Sequence, residues 1–257
     1  MNPTNQVSYD GFNFADNGIV LTNIGHLVIA PRRNQLETLA NRNGSVLVQS
    51  QLGTKPIVLE GYYIGATAVS AQIMYDTLAQ VLNRQERLLI VPHSGSTRKY
   101  TATPENIVIQ EPDGLNRLTF SLEFVVPTGS SYSDASTSLV NSVVTTASST
   151  IPLTVLGSVV TRPMITITFT TVTGGIGKTV TIRNARDFIG LTFTRNFVSG
   201  DVIIIDSDKF QIYVNGVLTE PVGRLPTWQP GSGSLFYSDT FTTRSVSILA
   251  TYMSKHI

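Results

Sequence analysis

The chain has 257 residues and no cysteine, so it can bury one large core or two modest ones without disulfides, and thiolate metal sites and thiol nucleophiles are excluded. A formal net charge of +1 gives no long-range field to gather nucleic acid or an anionic membrane. Charged residues are only 14% of the chain against a usual quarter, a composition suited to a protein whose faces are covered by neighbouring subunits.

Val7 to Phe14 and Ile19 to Ile29 read as extended segments joined by the turn-prone Ala15-Asp16-Asn17-Gly18. The polar stretch from Asn34 to Gly44 reads as a long loop. Its neighbours Arg32, Arg33 and Arg42 form a small basic cluster, read as a solvated loop rather than a phosphate site. Lys55 to Ile64 alternates as a strand does, with Ile57, Leu59 and Tyr63 on one face. Between Ala68 and Leu82 the period becomes helical: Val69, Ile73, Met74, Leu78, Val81 and Leu82 share a face, Thr67 suits the N-cap and Asn83 the exit. Arg87 to Pro92, Arg98 to Thr103, Asn106 to Gln110 and Arg117 to Val126 return to strand alternation, most cleanly in the last. One helix on a mostly antiparallel sheet predicts an α+β domain over residues 1–132.

From Ala135 to Thr161 there is no charged residue, and nearly half the positions are Ser or Thr. This stretch is expected to be a linker over residues 133–160. Its hydroxyls, Asn141 and Pro152 argue against a membrane span, and Met1 to Asp10 lacks the charged flank and apolar core of a secretory signal. Residues 161–257 then alternate in short runs, through Ile165-Ile167-Phe169, Val180-Ile182, Leu191-Phe193, Asp201 to Asp206, Phe210 to Val214 and Val246 to Tyr252. Asn215-Gly216 is a type I′ hairpin signal, and the region is predicted to be an all-β sandwich. Whether the last strand pairs here or returns to the first domain is open.

Candidate chemistry is sparse. Gly174-Gly175-Ile176-Gly177-Lys178-Thr179 is close to a phosphate-binding loop, but Val172 stands where the loop needs glycine and Val180-Thr181-Ile182 continues as a strand rather than a helix, so a glycine-rich turn is expected. Asp201, Asp206 and Asp208 surround one turn and are read as turn caps rather than calcium ligands. His26, His93 and His256 lie far apart without metal-ligand spacing. No nucleophile elbow is present, and His93-Ser94-Gly95-Ser96 and Gly231-Ser232-Gly233-Ser234 are loop compositions. The expectation is no enzyme, no cofactor and no metal. Trp228, the lone tryptophan, sits in a Pro/Gly loop; it either plugs the core or, with Tyr213, contacts a sugar or partner.

The order of these signals resembles that of the distal tail proteins (Dit) of long-tailed, non-contractile bacteriophages. The resemblance rests on Tyr9-Asp10-Gly11-Phe12, Asn17-Gly18-Ile19-Val20 with Ile24, Arg42-Asn43-Gly44, the strand at Ile57 to Tyr63 before the helix, and Arg98-Lys99-Tyr100. In the second half Gly200-Asp201 through Asp206, Val214-Asn215-Gly216 and Trp228-Gln229-Pro230-Gly231 are similar to the strand, hairpin and turn of that family's galectin-like sandwich; Gly233 stands where many relatives have Asn. The resemblance implies a structural virion protein at the tail tip, made in the host cytoplasm. The resemblance also implies a ring, usually of six subunits, between the tail tube protein and the tip or baseplate hub with its receptor-binding proteins. Genome DNA passes through without specific binding, and nothing inserts into a membrane. Asn34, Arg42 and Gly44 mark the expected contact with a ring above or below. The alternative is a carbohydrate-binding module fused to an α+β domain, adhering to a host-surface glycan through Trp228 and Tyr213.

Overall fold

A computed structural model describes residues 7–38, 44–94, 96–110 and 116–257. The chain divides into two compact units, Met1–Asp134 together with Ile257, and Ala135–His256.

The first unit begins with a tight hairpin of β1 (Ser8–Tyr9) and β2 (Phe12–Asn13) around Asp10 and Gly11, both at positive φ. The segment from Val7 to Phe14 therefore folds back instead of running straight, because Asp-Gly supplies the left-handed turn. Next come β3 (Ile19–Gly25), β4 (Arg32–Thr38), β5 (Ser45–Leu52) and β6 (Lys55–Ile64). The helix α1 (Ala68–Leu82) has the predicted limits. The Thr67 hydroxyl accepts from the Ser70 amide while the Ser70 hydroxyl accepts from the Thr67 amide, so two orphan amide donors are satisfied reciprocally. β7 (Arg87–His93), β8 (Ser96–Ile109) and β9 (Arg117–Val126) follow. All pairings are antiparallel, in the order β3-β6-β9-β8-β7-β1-β2.

β8 is one long strand where the sequence suggested two. Its first half pairs with β7 and its second with β9, with a register shift between Pro104 and Asn106. Proline cannot donate to the ladder, so the irregularity at Pro104 is where the strand can change partners. On β9 the predicted inward set, Leu118, Phe120, Leu122, Phe124 and Val126, is buried throughout. These side chains meet Tyr9, Phe14, Leu78, Val81, Leu82, Leu89 and Tyr100 in one core. Only part of the predicted helix face is covered: Leu78, Val81 and Leu82 are buried with Ala71, while Val69 and Ile73 are exposed.

The stretch expected to be a linker is instead β-structure: β10 (Ser131–Val144) and β11 (Ser148–Val155). Leu139, Val140, Val144, Ile151, Leu153 and Val155 are buried in the core of the second unit. Frequent hydroxyls and a proline disguised them. Pro152 is tolerated because β11 is an edge strand, where a missing amide donor costs little.

The rest of the second unit comprises β12 (Met164–Thr173), β13 (Lys178–Asn184), β14 (Gly190–Arg195), β15 (Val202–Asp206), β16 (Gln211–Val214), β17 (Val217–Leu218), β18 (Val222–Gly223), β19 (Gly231–Asp239) and β20 (Thr243–His256). One sheet has the order β17-β16-β15-β12-β20-β10 and the other β11-β19-β13-β14-β18. Inward residues of both, among them Ile165, Ile167, Phe169, Ile182, Phe193, Ile203, Tyr237 and Ile248, make one core. The first nine residues of the last strand pair with β12, from Thr173↔Thr243 to Met164↔Thr251. Asn215 and Gly216 both take positive φ in the predicted tight turn.

Candidate functional site

The segment expected to be a long loop is a hairpin arm. β4 pairs with β5 from Arg32↔Leu52 to Thr38↔Ser45, and among the described residues neither strand pairs with any other. Nearly every side chain on it is exposed, including Leu36, Val46, Leu47 and Val48. Because neither face is covered, the sequence shows no inside-outside alternation. Of the three residues expected at the contact, Asn34 lies on β4, where its Oδ1 accepts from Ser50 Oγ at 2.7 Å. Gly44 immediately precedes β5 with φ +101°, and Arg42 lies outside the described residues.

The arm has a defined base. The Gly53 amide donates to the Pro31 carbonyl at 2.6 Å. Gly129, at φ +64°, lies so close that a Cβ there would collide with the Gly53 carbonyl and press on Ala30. Just before the arm, Leu27, Val28 and Ile29 are exposed in succession. A lone two-stranded ribbon is marginal in water, and exposed strand edges invite pairing. A mixed groove of about 660 Å³ lies between the C-terminal half of α1 and β8, with Gln80, Asn83 and Gln85 beside Tyr75, Leu82 and Ile107.

The two candidate sugar contacts part company. Trp228 is 2% exposed, packs in the core of the second unit and donates from Nε1 to the Ser234 carbonyl at 3.2 Å. It plugs the core and has no free face to stack on a ligand, which corrects its reading as a sugar contact. Tyr213 is half-buried on β16, its hydroxyl donating to Gln211 Oε1. Phe188 and Phe210 of this unit are exposed, with the Arg183 guanidinium 4.8 Å from the Phe188 ring centroid and that of Arg162 4.9 Å from the Phe210 centroid.

Gly174 to Gly177 joins β12 to β13 as a turn, and no helix N-terminus follows to gather phosphates. The aspartates act locally. Asp201 accepts from the Val198 amide and Asn215 Nδ2, Asp206 from the Lys209 amide, and Asp208 from Lys255 Nζ. No cluster of three or more metal-ligating side chains occurs among the described residues, and no helix among them is long and apolar enough to cross a membrane.

What spacing concealed is a pair of histidines. His26, just past β3, and His93, at the end of β7, are 67 positions apart, yet His93 Nδ1 lies 3.4 Å from His26 Nε2. His26 Nδ1 lies 3.3 Å from the Ile24 carbonyl. One arrangement of protons satisfies both contacts: His26 is protonated on Nδ1 and donates to Ile24, and its Nε2 accepts from His93 Nδ1. Burial pushes the His26 pKa down, and the nearby positive charges of His93, Lys55 and Arg98 push the same way, against the Ile24 hydrogen bond. Lys55, the first residue of β6, is itself buried, and burial lowers its pKa, with Arg98 contributing.

Residues 19–126, within the first unit, match the family profile described as the phage tail protein RIFT-related domain. The particular structure that the whole chain follows is the crystal structure of the Dit protein (gp 19.1) of phage SPP1, described as a paradigm of the hub adsorption apparatus in phages infecting Gram-positive bacteria. The two share 18% identity and a TM-score of 0.73 over 98% of this chain and 99% of that one. The chain is also similar to chains of the phage P2 baseplate in its activated conformation. With Ca the identity is 9% and the TM-score 0.46, over 93% of this chain and 92% of that one; with Sr they are 9% and 0.48, over 96% of each. No curated protein sequence matches the chain. The Dit resemblance carried by the order of sequence motifs is thus met by the profile match over residues 19–126 and by similarity of fold to the SPP1 Dit protein over nearly the whole chain.

Proposed function

We propose that the protein is a distal tail hub. Identical subunits, six in number, close a ring through the first unit, with a head-to-tail interface repeated around the axis and a channel left for the genome. The ring joins the tail tube to the tip or baseplate. The second unit, a galectin-like sandwich, engages tip and receptor-binding proteins. The role is structural, and no chemistry is assigned to it.

The observation that carries this reading is the β4–β5 arm, an unpaired ribbon with exposed Leu36, Val46, Leu47 and Val48 inside the span that matches the phage-tail profile. Apolar side chains and free strand edges on one projecting element give a neighbour both area to bury and backbone to pair with. The burial of Trp228 removes the main support for a carbohydrate-binding module.

The test is the mass and negative-stain appearance of the full-length protein across a concentration series. A parallel variant has Asn34 to Ser50 replaced by Asn-Gly, which closes the register Arg33↔Gln51 with a two-residue turn. Closed rings from the parent, and a folded variant that forms neither rings nor tails, are expected. Tails assembled with the shortened arm would overturn the assignment.

A further inference from the structure

Lysine is among the residues least often buried, and a buried ammonium is ordinarily paired with a carboxylate. Lys55 is 3% exposed; among the described residues no carboxylate and no hydrogen-bond acceptor pairs with its Nζ, which is not fully enclosed. Its recorded contact is the face of Tyr100, whose ring centroid is 5.4 Å away. The charges that act on His26 are Lys55, Arg98 and His93, all basic. The ends of β3 and β7, the start of β6 and the first half of β8 thus gather four nitrogen bases, and no acid is among the charges acting on His26 or Lys55.

Two ligand classes suit facing imidazoles. A separation of 3.4 Å between ring nitrogens fits two bonds of about 2.0 Å to one zinc ion. A dication would sit beside the fixed charges of Lys55 and Arg98, however, and no third metal-ligating side chain joins the pair among the described residues. An anion reverses every sign. It pairs the ammonium of Lys55, takes a charge-assisted bond from Arg98, and accepts from imidazolium N–H groups. A proton added at His93 Nε2 preserves the chain from His93 through His26 to the Ile24 carbonyl and creates a new donor; one added at His26 Nε2 breaks that chain.

We infer that Lys55, Arg98, His26 and His93 form a receptor for an oxyanion, a phosphate or carboxylate group. The bound anion favours the protonated histidine pair, so by linkage protonation favours the anion. Affinity therefore rises as pH falls through the histidine range.

The probe is inorganic phosphate, titrated calorimetrically into the full-length protein at pH 6 and pH 8 at fixed ionic strength, with the histidine ring resonances followed by NMR. Saturable binding is expected, about tenfold tighter at pH 6 for one linked proton, with His26 and His93 moving together. Lys55→Met removes the binding. Arg98→Gln, at a half-buried position, weakens it and serves where the lysine variant does not fold.

Two sources of the anion are distinguished by mass. If phosphate dissociates assembled subunits, the natural occupant is a carboxylate of a second copy. If phosphate binds and the mass is unchanged, the site takes a free anion. Absence of rings bears on the proposed assembly and leaves this titration standing. The inference is overturned if phosphate gives no saturable heat and no histidine shift up to about 50 mM, and neither variant changes the mass.

Discussion

Replacing Trp228 by alanine separates a core plug from a ligand platform. The side chain is 2% exposed among the buried residues of the second unit, and a Cβ on Gly233 would fall 3.1 Å from its Cδ1. Its backbone is pinned as well, with reciprocal bonds to Thr161 of 3.1 and 2.8 Å. Removing the indole opens a cavity that such a fixed frame cannot close, and buried Trp→Ala changes cost about 3–5 kcal/mol. Losing the Nε1 hydrogen bond adds little, because the Ser234 carbonyl also accepts from the Ala185 amide at 3.0 Å. For a unit of roughly 120 residues, each kcal/mol moves Tm by about 4 °C, so Trp228→Ala is expected to lower the second unit's transition by roughly 12–20 °C. Trp228→Phe keeps most of the volume and is expected to lose less than half of that. Calorimetry of the full-length protein reads both, since tryptophan fluorescence is lost with the residue. A shift under about 3 °C together with a loss of glycan binding would refute the core assignment and restore the sugar-binding reading.

Asp239 has a fully buried side chain and accepts from the Tyr237 hydroxyl at 2.8 Å, the Phe241 amide at 2.8 Å and Arg244 Nε at 2.9 Å. Asp239→Ala strands a guanidinium that is 11% exposed and is expected to cost about 3–5 kcal/mol by chemical unfolding; a loss under 1 kcal/mol would show that water replaces the carboxylate. Gly129 and Gly177 share a φ near +63° but differ in surroundings, crowded by Gly53 and Ala30 in one case and open in the other. Gly177→Ala is expected to cost about 1–2 kcal/mol and Gly129→Ala distinctly more, so equal losses would remove the collision at the arm's base from the argument.

Stability should also fall at both ends of the pH scale. His26 has its pKa held below the unfolded value, so the unfolded chain binds more protons and stability is lost as pH drops below about 6.5 through the folded value; His26→Gln should flatten that slope in phosphate-free buffer. The Tyr9 hydroxyl, whose pKa burial pushes up to about 12, is protonated in the fold after the unfolded chain has ionised at 10.0, so up to about 3 kcal/mol is lost as pH rises between these values. Tyr9→Phe should abolish that alkaline slope, and an unchanged slope would assign it to other groups.

Elements with a buried face and a polar face were legible in the chain, because their periodicity records burial directly. α1 with its Thr67 cap, β9 with its five inward residues and the Asn215-Gly216 turn follow from neighbours a few positions apart. The arm escaped because β4 and β5 have no buried face to imprint a period of two. β10 and β11 escaped because Ser and Thr occupy their outer positions and Pro152 mimics a break.

Composition by itself determined that this protein needs no disulfide and has a weakly charged surface, and local pattern determined its helix, its cleanest strands and their turns. Tertiary structure alone decided which side chains meet. It brought His26 to His93 across 67 positions, left Lys55 buried without an acid, and turned Trp228 inward. Strand pairing sets such contacts, and the register that joins β3 to β6 and β7 to β8 leaves no periodic trace in the residues it brings together.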